Sequence, residues 1–315
     1  MRLAVAANGR APTSEILALA GTCDSLPVSE MWITEDYYER GAFAVAGAVL
    51  AVTKRLSVGI GVVNPWTRHP VLTAMETAAL AEIGPGRVVL GLGASNARWM
   101  GEQLGLPFER PLTRLLDSVS IVRAALAGEP VDHEWGGKRL AARLAFVPPG
   151  PIPVALGVKG ERALRAGAEV ADVLLLSALS SPDYVRWVRA IVGPRPRLDV
   201  LVGVSLDEDA ALARGRIRPF VANYLGVHGD QPITRVAGID PALAAQLRAG
   251  WTSGTPRADL VTDELLSRFC LAGGEKDIRA GMAAFAAAGA DSLVVQNRGM
   301  GDAADMLTTI SGLLG

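Results

Sequence analysis

The sequence predicts an α/β fold, a closed (β/α)8 TIM barrel with insertion segments, and three observations support it. Eight short apolar segments alternate with helical patterns along the chain, as in a parallel barrel. The length of 315 residues is normal for such a barrel and long for one ordinary domain. No glycine-rich dinucleotide fingerprint follows the first apolar segment, which disfavours an open doubly wound sheet. We therefore expect a single barrel domain over residues 1–315, with a helical insertion at about 207–267.

The predicted strands are short apolar runs that end in polar or glycine-containing loops. They cover residues 3–7, 31–34, 56–63, 87–92, 152–156, 173–176, 199–206 and 292–296. Helical patterns lie between them, near 15–20 and at 42–53, 71–83, 161–170, about 182–192 and 277–289, with one or two helices between 98 and 127. Trp135-Gly136-Gly137 indicates a short hairpin or turn.

Composition and charge exclude several classes of function. The net charge is −1, so no bulk field recruits nucleic acid or a membrane surface. No apolar run approaches the ~18 residues of a membrane span, and the first apolar stretch is too short for a signal peptide. Cys23 and Cys270 have no metal-binding spacing, so we interpret them as buried small hydrophobic residues and predict no metal site. We expect a cytoplasmic protein that acts on a small molecule.

Residues 56–96 form the most informative unit, a strand, a helix and a second strand. The first strand ends in Asn64-Pro65-Trp66-Thr67-Arg68-His69-Pro70, and the second ends in Gly93-Ala94-Ser95-Asn96. Parallel strands present their carboxyl ends at the same face of a barrel, where ligands bind. Both loops are therefore predicted to open onto one site.

Four motifs of the chain resemble the bacterial luciferase-like family, and within it the branch that uses coenzyme F420. They are Trp32-Ile33-Thr34-Glu35-Asp36-Tyr37, the segment 59–70, Gly86-Arg87-Val88-Val89-Leu90-Gly91-Leu92-Gly93 and the segment 156–172. The region 273–295 is similar too. The resemblance covers nearly the whole chain, and the segment 207–267 matches least. It implies an oxidoreductase with a deazaflavin or flavin over the carboxyl face of the barrel.

The resemblance also implies residues that bind this cofactor. A non-prolyl cis peptide bond between Gly61 and Val62 is expected to back the ring. The turn Gly157-Val158-Lys159-Gly160 is expected to hold a phosphate, and the residues themselves agree, because backbone N–H groups at a helix start and one lysine suit an anion. The remaining residues expected to bind the cofactor are Asn64, Gly93, Ala94, Ser95 and Ser177.

The chain departs from the family pattern at two positions. Glu35-Asp36 stands where many relatives have Asp-His, and Asn96 stands where relatives often have an acid. An asparagine cannot donate a proton as an acid, so Glu35 is the best candidate for a general acid, with a cofactor-orienting role as the alternative. Glu35, Asn64 and Asn96 follow neighbouring strands and are predicted to face one mouth. The candidate catalytic residues are Glu35, Asp36 and Asn96.

The resulting hypothesis is hydride transfer between C5 of F420 and an imine, enone or carbonyl substrate. One alternative is an FMN-dependent monooxygenase of a two-component system, and another is a catalytically silent flavin-binding barrel. We also predict a homodimer, because the helix at 42–53 is too apolar to face water. This helix or the one at 71–83 is expected at the interface.

Overall fold

The computed structural model describes residues 1–297 and 303–313. The strands are β1 Arg2–Ala7, β2 Val28–Ile33, β3 Ser57–Val63, β4 Val88–Gly93, β5 Val131–Trp135, β6 Lys138–Ala142, β7 Val154–Gly157, β8 Val173–Leu176, β9 Arg197–Leu206, β10 Cys270–Gly273 and β11 Ser292–Asn297. The helices are α1 Thr13–Ser25, α2 Ala42–Val52, α3 Pro70–Ile83, α4 Pro111–Leu126, α5 Glu161–Val170, α6 Pro182–Val192, α7 Ala210–His228, α8 Pro232–Arg235, α9 Pro241–Thr252, α10 Asp263–Phe269, α11 Glu275–Ala287 and α12 Ala303–Gly312.

Eight parallel strands close into a barrel, which confirms the predicted fold class. Their order around the barrel is β1, β2, β3, β4, β7, β8, β9 and β11. Parallel pairing of Val173 with Arg197 joins β8 to β9, and pairing of Arg2 with Ser292 joins β11 to β1. Closure leaves no barrel edge exposed and brings all eight carboxyl ends to one mouth.

All eight predicted strands are present; β8 has the predicted bounds, and the ends of the other seven are shifted. The antiparallel hairpin of β5 and β6 confirms the turn predicted at Trp135-Gly136-Gly137. Strand β10 was not predicted, because it is four residues long and follows α10 without a turn. It pairs with the end of β9, Gly203 to Leu206, beyond the part of β9 that pairs with β8.

The helices α7 to α10 lie between β9 and β10 and have an apolar cluster of their own. Ile217, Val221 and Leu225 of α7 pack there with Leu247 of α9 and Phe269 of α10. The cysteines are both buried, as interpreted from the sequence. In the part of the chain that the structure describes, no helix is long and apolar enough to cross a bilayer.

The indole of Trp32 fills the interior of the barrel and is fully buried. Small residues surround it, since a Cβ atom at Gly59 would lie 2.5 Å from the indole and one at Gly61 would lie 2.7 Å from it. Ala4 and Ala155 belong to the same interior cluster. The large side chain of β2 is therefore accommodated by small residues on the adjacent strands β3 and β1 and on β7.

Below Trp32, towards the amino ends of the strands, a buried ionic cluster closes the barrel. The Arg197 guanidinium donates to both carboxylate oxygens of Glu30, at 2.8 and 3.1 Å, and to Oδ2 of Asp199, at 2.6 Å. The Asp199 side chain is completely buried. One guanidinium therefore faces two carboxyl groups. Burial raises the pKa of Asp199 to about 7; the charge of Glu30 adds to this increase, and the charge of Arg197 opposes it.

This raised pKa predicts a stability effect that depends on pH. A carboxyl group whose pKa is higher in the folded than in the unfolded protein stabilises the fold below its unfolded pKa, and this contribution is lost as the pH rises through about 7. When the pH is raised from about 5 to about 8, the stability of Asp199→Asn relative to the wild type should therefore increase by up to roughly 2 kcal/mol. Urea unfolding at both pH values measures the difference. Parallel pH profiles of the two proteins would contradict the shifted pKa.

Candidate active site

A cavity of about 390 Å³ lies at the carboxyl-end mouth of the barrel. Residues that end or follow β1, β2, β3, β4, β8 and β11 line it, and so does the inward face of β9 at Leu201. Phe220, Asn223 and Tyr224 of α7 form the remaining wall. The volume is within the range of small-molecule sites, and the location is the one at which barrel enzymes bind substrates.

The structure brings eight of the predicted site residues together at this cavity. These are Glu35, Asp36, Gly61, Val62, Asn64, Gly93, Ser95 and Ser177. Six others are not among its lining residues, namely Ala94, Asn96, Gly157, Val158, Lys159 and Gly160. Val158 is buried in the core, so only its backbone could face a ligand.

The inner end of the cavity is formed by a bulge in β3. The pairing register between β3 and β4 shifts between Ile60 and Val63, and the Gly61–Val62 peptide bond is cis, as the resemblance implied. Glycines on the adjacent strands leave room for the Val62 side chain, because a Cβ at Gly93 would lie 2.6 Å from it. Gly61 and Val62 therefore line the cavity beside the polar loops of the mouth.

A hydrogen-bonded group at the cavity centres on Tyr37, which the sequence did not single out as a site residue. Asn64 Nδ2 donates to the Tyr37 hydroxyl at 2.6 Å, and Ser95 Oγ lies 3.2 Å from the same hydroxyl. The Tyr37 ring also meets Trp99 edge to face, with the centroids 5.2 Å apart. The signal available in the sequence was its place in the Glu35-Asp36-Tyr37 loop.

Lys159 lies behind the cavity wall rather than in it. Its Nζ is 3.5 Å from Nδ1 of His228, and Nε2 of His228 is 3.2 Å from the carbonyl oxygen of Ala178, which lines the cavity. Burial lowers the pKa of Lys159, and burial together with the Lys159 charge lowers the pKa of His228 to about 3. His228 is therefore neutral and adds no second positive charge beside the Lys159 ammonium.

Comparison with known proteins identifies the family. The family model of luciferase-like monooxygenases matches residues 2–292. The chain belongs to the luciferase-like monooxygenase family. This result confirms the resemblance read from the motifs of β2, β3 and β4.

Relatives in this family include F420 enzymes. The 5,10-methylenetetrahydromethanopterin reductase of Methanolobus tindarius is 29% identical over 286 residues, which are 85% of this chain and 86% of that protein. The solved structure of coenzyme F420-dependent tetrahydromethanopterin reductase from Methanopyrus kandleri superposes with a TM-score of 0.87 at 22% identity, covering 98% of this chain and 97% of that one. An F420-dependent secondary alcohol dehydrogenase in complex with an F420-acetone adduct superposes with a TM-score of 0.80 at 16% identity, covering 99% and 97%.

Within this luciferase-like barrel, Glu35 is held by an ion pair. Arg68 donates to both of its carboxylate oxygens, Oε1 and Oε2, and the backbone N–H of Ala42 donates to Oε2 at 2.9 Å. Arg68 also binds Glu76 of α3 at 2.9 Å. The Glu35–Arg68 pair is largely buried, since the Glu35 side chain is 16% and the Arg68 side chain 26% exposed. These contacts favour the orienting role of Glu35 over the general-acid role that the sequence also allowed.

Asn96 was predicted to face the mouth with Glu35 and Asn64, but it does not line the cavity with them. Its side chain is exposed, and its Oδ1 accepts a hydrogen bond from the backbone N–H of Trp99 at 3.0 Å. This bond leads into the π-helical segment Arg98–Gln103. The side chain thus holds the loop after β4, and it is Trp99 from this loop that reaches the cavity.

The contacts of Glu35 predict a loss of stability when its charge is removed. Glu35→Gln should lower the free energy of unfolding by roughly 1–3 kcal/mol, because a glutamine cannot accept both bonds of the Arg68 fork. Urea denaturation measures this loss, and Glu82→Gln on the exposed side of α3 is the matched control. Unchanged stability together with a turnover lowered by about 10²-fold would instead support the general-acid role.

Proposed function

We propose that this luciferase-like protein is a coenzyme F420-dependent oxidoreductase. It transfers a hydride between C5 of the deazaflavin ring and an electrophilic carbon of a small imine, enone or carbonyl substrate. The proposal rests on one observation, that three features meet at the mouth of the barrel. They are the cavity, Gly61 and Val62 at its inner end, and Lys159 behind its wall. F420 relatives of similar length support this choice of cofactor.

The surroundings of Lys159 fit the phosphate of such a cofactor. Among the residues that the structure describes, no carboxylate forms an ion pair with Lys159. A partly buried ammonium without a counter-ion is unfavourable unless an anion is bound nearby. Helix α5 begins directly after Gly160, and within the described part of the chain no side chain caps its first N–H groups. Lys159 and the start of α5 together would hold a phosphate.

The ring of the cofactor would lie against Val62, with the polar loops at its edge. Bound F420 supplies the hydride chemistry, and the protein positions the ring and excludes water. Asn64, Ser95 and Ser177 offer neutral hydrogen-bonding groups that keep the same charge over the physiological pH range. The apolar wall of Phe220 and Leu201 would limit the access of water to the reacting carbon.

Ligand titration tests the cofactor. We expect the wild type to quench the fluorescence of F420 on binding and to bind FMN more weakly. Lys159→Ala should weaken F420 binding by roughly 1–3 kcal/mol, the scale of a hydrogen bond to a charged group, without lowering the thermal stability of the protein alone. The matched control is Lys138→Ala, which changes an exposed lysine on the hairpin.

Turnover of reduced F420 completes this test, with 5,10-methylenetetrahydromethanopterin, acetone and a cyclic enone as acceptors. Oxidation of reduced F420 by one of these acceptors supports the proposal. Tighter binding of FMN than of F420, with oxygen-dependent turnover of reduced FMN, would replace it with the monooxygenase alternative. Binding without turnover of either cofactor would favour a catalytically silent barrel.

The protein is further proposed to form a homodimer through α2 and α3. The outward side of α3 carries Leu72, Met75 and Ile83, which are 54%, 41% and 49% exposed, and Val52 at the end of α2 is 58% exposed. Large exposed apolar side chains close together favour association. The helix Ala42–Val52 has no charged residue, as the sequence indicated.

Charged substitutions test this interface. The wild type should have the mass of a dimer by light scattering at micromolar concentration. Leu72→Glu combined with Met75→Glu should shift the mass to that of a monomer, because two carboxylates would have to be buried against the partner. Leu212→Glu, at a residue of α7 that is 47% exposed, should leave the dimer intact. A monomeric wild type would contradict the proposal.

A further inference from the structure

The orientation of the Asn64 amide is fixed by its neighbours. Its Oδ1 accepts hydrogen bonds from the backbone N–H groups of Trp66 and Thr67, at 3.0 and 3.1 Å. The Nδ2 group therefore faces Tyr37, and an amide N–H can only donate. The Tyr37 oxygen accepts this bond at 2.6 Å. The hydroxyl hydrogen of Tyr37 must consequently be directed elsewhere.

Ser95 and the cavity can both receive that hydrogen. Ser95 Oγ lies 3.2 Å from the Tyr37 oxygen, and both residues line the cavity. A serine hydroxyl can accept one proton while donating another. Asn64, Tyr37 and Ser95 thus form a chain in which Tyr37 can give its proton to a ligand and recover one from Ser95.

Tyr37 keeps its proton at neutral pH. Burial raises the pKa of its hydroxyl, and the nearby charges of Glu35 and Asp36 raise it further, while the bonds from Ser95 and Asn64 oppose the increase. Glu35, which could have donated a proton, already accepts from Arg68 and Ala42. Tyr37 is therefore a protonated group at the cavity with a replacement proton beside it.

We propose that Tyr37 is the proton donor to the substrate heteroatom, with Ser95 and Asn64 as the residues that position it. This inference rests on the proposed function and deepens it, since it restricts the substrate to one whose reacting carbon is doubly bonded to oxygen or nitrogen. A group of this kind becomes basic when the carbon is reduced, and a positioned phenol then transfers its proton.

The step balances in electrons and protons. The carbon of the C=O or C=N bond would take a hydride, which F420, the reductant named above, would supply in its reduced form when bound. The two π electrons of that bond move to the heteroatom, which takes the proton of the Tyr37 hydroxyl. The phenolate that remains is stabilised by the Asn64 N–H and takes a proton from Ser95 Oγ, and Ser95 is reprotonated by water. The substrate gains one hydride and one proton.

Kinetics of three variants test the assignment, with acetone as acceptor. Tyr37→Phe should lower kcat by about 10²-fold or more, the usual size of a general acid contribution, and leave the affinity for F420 within about twofold. Ser95→Ala should lower kcat by about tenfold, because reprotonation becomes slower. Tyr38→Phe is the matched control, since Tyr38 is 79% exposed and binds the carbonyl oxygen of Gln103. Full activity of Tyr37→Phe would overturn the proposal.

A second measurement uses the protein without cofactor or substrate, followed by tyrosinate absorbance in an alkaline titration. The chain has four tyrosines, so single variants can be compared. Tyr37→Phe should remove one ionisation, and Ser95→Ala should move that ionisation to higher pH because its hydrogen bond favours the phenolate. Tyr38→Phe should leave it in place. An unshifted ionisation in Ser95→Ala would overturn the relay, whereas an inactive wild type with the expected shift would contradict only the proposed function.

Discussion

The packing of Trp32 in the barrel interior is the constraint on which the site depends. The large indole shares the barrel interior with branched side chains such as Leu175 and Val294, and Gly59, Gly61 and Gly91 are the residues that admit it. The same β2 strand then leads directly into Glu35 and Tyr37. Because the interior below is filled, the cavity opens only at the mouth, and a ligand there meets the bulge of β3 at its inner end. Any enlargement of the facing glycines would displace the indole and with it the loop that carries the site.

Charge is distributed unevenly over the two parts of the site. The Glu35–Arg68 pair and its link to Glu76 hold the loop after β2 against α3, so these charges are compensated within the protein. Lys159, at the start of α5, has no carboxylate partner among the described residues. The centre of the cavity carries neutral groups on Asn64 and Ser95. This separation suits a ligand with an anionic end and a reacting part that changes its protonation only during the reaction.

Helix α7 connects these two parts. Phe220, Asn223 and Tyr224 form a wall of the cavity, and His228 at the end of the same helix contacts Lys159. The helix packs on α9, where Gly226 allows close approach of Trp251. A shift of α7 would therefore move the cavity wall and the lysine contact together. Segment 207–267 thus contributes to the site through packed helices rather than through a loose loop, consistent with the single barrel domain that we infer.

The sequence by itself determined the eight strands, their alternation with helices, the family and the residue types at the mouth. These features depend on local patterns of apolar residues and on motifs of contiguous residues, which tertiary structure does not alter. Only the tertiary structure decided which of these side chains share the cavity. Asn96 follows β4 as predicted, yet its side chain bonds the backbone of Trp99 and is exposed. Tyr37 became a candidate because Asn64 and Ser95, 27 and 58 residues away, meet its hydroxyl. Such partners follow different strands, and the direction of each side chain depends on packing that no local pattern records.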